Sequence, residues 1–105
     1  PSKNQLLVLC WGSTYGAALS AVENLQKKGK YVSMLHLECL YPFHEELGNI
    51  LKGFKKILIP EMNLGQLSIL IRSEFLIDGI SMKKVQGKPF MVSEIREKIE
   101  SLLST

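Results

Sequence analysis

The chain has 105 residues, of which 46% are hydrophobic and 22% charged, with two cysteines and a formal net charge of +3. That describes one soluble globular domain, large enough to bury a core without staples. No apolar run approaches the roughly 20 residues that span a bilayer, and no secretory signal is visible. The chain begins at Pro1 rather than Met, so its start is expected to have been removed or cut.

Leu6–Trp11 is a continuous apolar run, which suits a strand covered on both faces. It enters Gly12-Ser13-Thr14-Tyr15-Gly16, a turn that opens a helix over Tyr15–Lys28. Ala17, Ala18, Ala21, Val22 and Leu25 form the inward stripe of that helix. Ser13 or Thr14 is placed to cap it, and Gly29 to end it. Tyr31–Leu37 reads as the second strand.

Pro42 pre-sets the first turn of a second helix, with Glu45 and Glu46 at its positive end. Leu47, Ile50 and Leu51 are expected to face inward, and Gly53 to mark the stop. Ile57–Pro60 is the third strand, and it runs into Glu61-Met62-Asn63-Leu64-Gly65-Gln66. A third helix is expected over Leu64–Phe75, with Leu67, Leu70 and Ile71 inward. A short strand follows near Ile80–Lys84, then a turn over Gln86–Phe90. Ser93 is placed to cap a last helix whose inward face is Ile95, Ile99 and Leu102. Four such strand–helix units predict an α/β fold, a parallel sheet with helices on both faces.

In such sheets, function gathers at the loops beyond the carboxyl ends of the strands. The Gly12–Gly16 and Glu61–Gln66 turns are therefore the candidate site, carried by Trp11, Gly12, Ser13, Thr14, Gly16, Glu61, Asn63, Gly65 and Gln66. Two readings stand at each. The first turn is a helix cap, or an anion site built from free backbone N–H groups and the two hydroxyls. The second is a cap made by Asn63, or an interface in which Glu61 serves a partner subunit. Trp11 reads as a packing or interface aromatic rather than a cofactor platform.

Catalytic hardware is otherwise missing. The chain has no GxGxxG after its first strand, no GxxxxGK[ST] loop and no GxSxG elbow. His36 reads as a core or edge histidine and His44 as a solvent-facing first-turn residue, neither at metal-ligand spacing. Cys10 and Cys39 follow no CxxC or Cys/His spacing. They read as reduced core cysteines of a cytoplasmic protein, with a reactive thiol as the other reading. The basic clusters Lys27-Lys28-Lys30, Lys52-Lys55-Lys56 and Lys83-Lys84-Lys88 have no alternating aromatics. They fit solvated surface or an acidic partner better than nucleic acid.

Several of these segments, in this order, resemble one family. They are Trp11-Gly12-Ser13-Thr14-Tyr15-Gly16, Leu35-His36-Leu37, Tyr41-Pro42-Phe43, Glu61-Met62-Asn63-Leu64-Gly65-Gln66-Leu67 with Arg72, Gly87-Lys88-Pro89-Phe90, and Glu94-Ile95. They are similar to the C-terminal domain of the alpha subunit of 2-oxoacid:ferredoxin oxidoreductases, and most of all to the 2-oxoglutarate enzyme, over about residues 5–103. The resemblance implies a three-layer α/β/α fold like the C-terminal domain of transketolase, with a mainly parallel sheet of about four to five strands. It also implies a parent enzyme that uses thiamine diphosphate, magnesium and iron–sulfur clusters to make an acyl-coenzyme A and reduce ferredoxin. The expected partners are the preceding pyrimidine-binding domain, the beta subunit and other subunits, with no nucleic acid and no membrane.

Leu37-Glu38-Cys39-Leu40-Tyr41-Pro42-Phe43-His44 departs from the Asp-x-Arg-Thr…Pro-x-Asp pattern of related dehydrogenases, which favours the ferredoxin-linked branch. Glu38-Cys39 also lacks the Arg-bearing pair expected in many alpha subunits, so any charge-dependent contact there is not carried over. Neither a Gly-Asp-Gly…Asn diphosphate motif nor a cysteine cluster is present, so no cofactor is expected to be held by this chain. The chain is expected to be one domain over residues 1–105 of a longer subunit, inactive alone, and to hold neighbouring domains together. The alternative is a small-anion or coenzyme A binding module using the two glycine loops.

Overall fold

A computed structural model describes residues 5–37, 46–62, 66–84 and 90–104. Among the described residues, four strands lie in one sheet: β1 (Leu6–Trp11), β2 (Val32–Leu37), β3 (Lys56–Met62) and β4 (Ile80–Lys84). Their order is β2-β1-β3-β4, and every pairing is parallel. Four helices connect or follow them: α1 (Tyr15–Lys27), α2 (Leu47–Lys52), α3 (Gln66–Phe75) and α4 (Val92–Leu103). A 3-10 turn over Gly12–Thr14 precedes α1. Among the described residues, no helix is long and apolar enough to cross a membrane.

The apolar strands alternate between two covered faces. Leu6, Val8, Cys10 and Leu58 pack with Ala18, Ala21, Val22 and Leu25 of α1 and Ile95 and Ile99 of α4. Leu7, Leu9, Ile57 and Ile59 pack with Leu47 and Leu51 of α2 and Leu67 and Ile71 of α3. Helices therefore sit on both sides of the sheet, the three-layer α/β/α arrangement, here with four strands. Burying each of the leucine, isoleucine and valine side chains among them stabilises the fold by about 2 kcal/mol.

Three local expectations change, and one open alternative is resolved. Ile50 is 42% exposed rather than inward. In the short α2 the inward position between Leu47 and Leu51 belongs to Gly48, where an added Cβ would lie 2.7 Å from Cδ1 of the Phe75 ring. A side chain there would push α3 away. Thr14 does not cap α1; its hydroxyl donates backwards to the Trp11 carbonyl at 3.2 Å. Ser93 lies inside α4, and the start of that helix is closed by Glu94, whose carboxylate accepts the Met91 N–H at 2.8 Å. His36 is on the exposed surface of the edge strand β2, so it is an edge and not a core histidine.

Other ends behave as the residue types predict. Gly29 has φ +81 and completes a Schellman turn, in which Lys30 N–H donates to Leu25 O and Gly29 N–H to Gln26 O. Gln26 Nε2 donates to Val32 O at 2.8 Å, tying α1 to the start of β2. Lys56 Nζ donates to Leu102 O at 2.7 Å and satisfies a last-turn carbonyl of α4. Leu76, just past α3, holds φ +58 while 89% exposed, a left-handed conformation that costs on the order of 1 kcal/mol in a leucine. The segments around Cys39, Pro42, His44 and Gln86–Pro89 lie outside the described residues.

Candidate functional site

The strands β2 and β1 stay paired to their carboxyl ends, Leu37 against Trp11, and so do β3 and β4, Met62 against Lys84. The ladder between β1 and β3 is shorter. It joins Leu6, Leu7 and Val8 to Lys56, Ile57 and Leu58 and ends there. From β1 the chain moves outward to β2, and from β3 it moves the other way to β4. The order reverses between β1 and β3, the position where open α/β sheets form their binding crevice. Both predicted loops leave the sheet at this point.

The loop after β1 is open. Gly12 holds φ +70, a left-handed turn that lets the chain swing from the strand into the 3-10 turn. Thr14 is buried by that turn, while Trp11 remains 44% exposed and Tyr15 and Gly16 lie at the surface. The Tyr15 ring meets the His36 ring with centroids 4.4 Å apart and an interplanar angle of 40°. The stacked Tyr15–His36 pair and, separately, the exposed Trp11 that ends β1 leave aromatic side chains uncovered at the carboxyl ends of β1 and β2, an exposed aromatic ledge.

At the end of β3, a strand carboxylate is tied to the start of α3. Glu61 is only 7% exposed. Its Oε1 accepts the Leu67 N–H at 2.5 Å and its Oε2 the Ser68 N–H at 3.2 Å, with the Ser81 hydroxyl at 3.4 Å. These are first-turn amides of α3, which have no helical acceptor of their own. A carboxylate at a helix start is stabilised by those donors and by the helix dipole. Glu61 thus occupies the position that an exogenous anion would take. Asn63 and Gly65 lie outside the described residues, and so do the side chains of Ser13 and Gln66.

Nucleophilic chemistry has little support here. Cys10 is fully buried, and burial pushes its thiol up to about 11 from the ordinary 9.0. Its Sγ donates weakly to Leu35 O at 3.7 Å, so it is a packed, protonated thiol. Among the described residues, no three His, Cys, Asp or Glu side chains converge on a point that could hold a metal ion. The described residues alone offer no ligand set for an iron–sulfur cluster or a magnesium–diphosphate site. The described residues line two shallow cavities. One, of about 120 Å³, is lined by Gln5, Lys55, Lys56, Leu102 and Leu103. The other, of about 170 Å³, is lined by Ser68, Ile69, Arg72, Asp78 and Gly79.

Sequence reasoning found both loops but not what distinguishes them. Glu61 was singled out as a strand-end residue, whereas its role as the α3 cap rests on contacts six and seven residues downstream. His36 was passed over for the ledge because its partner Tyr15 is distant in the chain and nothing local signals the stacking.

Comparison with known proteins completes the description. The profile of the pyruvate:ferredoxin oxidoreductase core domain II matches residues 5–95. The 2-oxoglutarate oxidoreductase subunit KorA of Mycobacterium tuberculosis is 38% identical over 100 residues, covering 95% of this chain and 15% of that protein. The 2-oxoglutarate synthase subunit KorA of Methanocaldococcus jannaschii is 41% identical over 63 residues, covering 60% of this chain and 17% of that protein. The solved 2-oxoglutarate:ferredoxin oxidoreductase from Magnetococcus marinus, with 2-oxoglutarate, coenzyme A and succinyl-CoA bound, superposes with a TM-score of 0.91 at 28% identity. That match covers 98% of this chain and 18% of the other. A split gene transketolase, described as an inactive beta4 tetramer, superposes with a TM-score of 0.72 at 13% identity, covering 96% of this chain and 39% of that one, which shows a shared fold. The chain thus spans less than a fifth of the length of these two curated relatives.

Proposed function

The chain belongs to the pyruvate:ferredoxin oxidoreductase core domain II family, and from that premise we propose that it is the C-terminal domain of the alpha subunit of a 2-oxoglutarate:ferredoxin oxidoreductase. Its task is to pack against the preceding pyrimidine-binding domain and neighbouring subunits, and not to supply a reacting group. When bound in the parent enzyme, thiamine diphosphate and iron–sulfur clusters supply the decarboxylation and electron transfer. Interface geometry then governs catalysis by holding two half-sites together.

The observation that carries this reading is the aromatic ledge. Trp11 and Tyr15 stand exposed beside a crevice whose buried carboxylate is already committed to backbone amides. Exposed aromatic side chains at a strand-end edge are what a covering protein surface uses as anchors. The candidate residues Trp11, Gly12, Thr14, Gly16 and Glu61 accordingly act as interface and turn residues. The alternative, a small-anion or coenzyme A module, loses one of its two helix starts to Glu61.

The test uses the full alpha–beta enzyme. Trp11→Ala should lower 2-oxoglutarate- and coenzyme A-dependent acceptor reduction at least tenfold, with loss of the assembled species on size exclusion. The chain alone should show no turnover with 2-oxoglutarate, coenzyme A and a dye acceptor. Calorimetric titration of the chain with coenzyme A or 2-oxoglutarate should give no heat at millimolar ligand. Binding heat abolished by Gly12→Asp would instead support the alternative.

A further inference from the structure

The opposite, amino-terminal end of the sheet carries a different signal. Side by side there lie Val32, Leu6 and Lys56, which are register partners across β2, β1 and β3. Neighbouring strands are about 4.8 Å apart, so the residues entering these strands share one compact surface. Lys30 comes two residues before Val32, and Lys55 immediately before Lys56. Lys27 and Lys28 end α1, whose C-terminus leads into β2. Lys52 ends α2, whose C-terminus leads into β3. Six of the thirteen basic residues of the chain therefore meet at one end of the molecule.

Among the described residues, Lys27, Lys28, Lys30, Lys52 and Lys55 have no carboxylate within ion-pair distance, and all five are exposed. Asp78, in the loop after α3, pairs with Arg72 at 3.3 Å, and Glu100 of α4 with Arg96 at 3.9 Å; Glu23, Glu74 and Glu97 are the other carboxylates on α1, α3 and α4, and none is within ion-pair distance of these five lysines. Helix C-termini favour one or two cations each, which accounts for Lys27 and Lys52. It does not account for Lys28, Lys30 and Lys55 gathered between those helix ends, where like charges repel. Tyr31, 45% exposed, stands among them as an apolar anchor, and the 120 Å³ cavity floored by Leu102 and Leu103 opens beside Lys55.

We propose that this lysine face is a docking surface for an acidic protein partner. Charge complementarity selects the class. Lysine ammonium groups on flexible stems attract dispersed carboxylates, whereas recognition of phosphate and nucleic acid favours the fixed fork of arginine, and the face carries no arginine among the lysines named. One tyrosine is too few for a base-stacking platform. The surface lies at the far end of the sheet from the aromatic ledge, so it serves an encounter separate from the covering of the β1 and β2 ends. It does not depend on the reading given above for that ledge.

The test uses the full-length protein carrying this chain and three probes: poly-L-glutamate of about 20 residues, duplex DNA of matched charge, and phosphatidylglycerol–phosphatidylcholine vesicles. Poly-L-glutamate should bind most tightly, with affinity falling at least tenfold between low and physiological salt. The combined variant Lys28→Glu, Lys30→Glu, Lys52→Glu, Lys55→Glu should weaken it at least tenfold. A control, Arg96→Glu with Lys98→Glu on α4, should stay within about twofold. Because charge reversal can disturb folding, acetylation footprinting of the unmodified protein gives a second reading: the probe should protect Lys28, Lys30 and Lys55 more than Lys98. Unchanged affinity in the folded four-lysine variant overturns the proposal. So does equal protection of Lys98, or tighter binding of DNA or vesicles than of poly-L-glutamate.

Discussion

After β1 the chain turns through Gly12 into an exposed ledge, and after β3 an equally apolar strand turns back on its own glutamate. Both loops join a buried strand to a helix through a glycine-bearing stretch. In the first, the Thr14 hydroxyl bonds only to the Trp11 carbonyl, and the aromatic rings face outward. In the second, the Glu61 carboxylate sits on the amides of Leu67 and Ser68. The difference separates two uses of one topology. A strand end whose carboxylate already caps the next helix holds the fold, and one whose large side chains remain uncovered is available to a neighbour.

That contrast can be broken at the closed loop first. Glu61→Ala leaves two buried amides without an acceptor and should cost about 3 kcal/mol, read from the urea midpoint. Glu61→Gln keeps one acceptor and should cost about half as much. An unchanged midpoint in Glu61→Ala would remove the distinction between the loops.

The next effect lies at the root of the open loop. Below pH 9 the Cys10 thiol is protonated in both the folded and unfolded chain. Between pH 9 and about 11 the unfolded thiol ionises while the folded one does not. The unfolded state then binds fewer protons, so stability falls as pH rises, by about 2 kcal/mol from pH 8 to 10.5. The Cys10→Ala variant should lose that increment of the alkaline slope, and the native thiol should resist maleimide at neutral pH.

Smaller effects belong to the open loop itself. Thr14→Val removes a buried hydroxyl bond and should cost about 1 kcal/mol in thermal or urea unfolding. Trp11→Ala should change the stability of the chain by less than about 0.5 kcal/mol, because the ring already lies at the surface. A loss above 2 kcal/mol in that variant would mean that Trp11 is a core residue and that the ledge is not an uncovered surface.

Much of this fold was legible in the sequence because continuous apolar runs such as Leu6–Cys10 and Ile57–Ile59 have few alternatives to a doubly covered strand. The positions of β1 and β4 follow the expected ranges, and β3 runs further, through Met62. Helix faces were readable where the helix is long, as in α1 with Ala18, Ala21, Val22 and Leu25. In α2, Leu47 and Leu51 face inward as expected but Ile50 does not, because six residues give the period little to work with and Gly48 lies inward against the Phe75 ring. Two caps depart from what residue type suggests: Thr14 makes no cap bond at α1, and α4 is closed by Glu94 rather than Ser93, while at α3 Glu61 binds the first-turn amides and Asn63 lies outside the described residues. The early end of the β1–β3 ladder, which opens the crevice, depends on how the sheet diverges and has no signature in either strand.

The account rests on the ledge being covered in the assembled enzyme. Hydroxyl-radical footprinting of the assembled alpha–beta enzyme, compared with the chain alone, reads this directly by mass spectrometry at Trp11 and Tyr15. The account predicts at least fivefold slower oxidation of both residues in the assembly. Oxidation of Trp11 and Tyr15 at the same rate in both forms would contradict it.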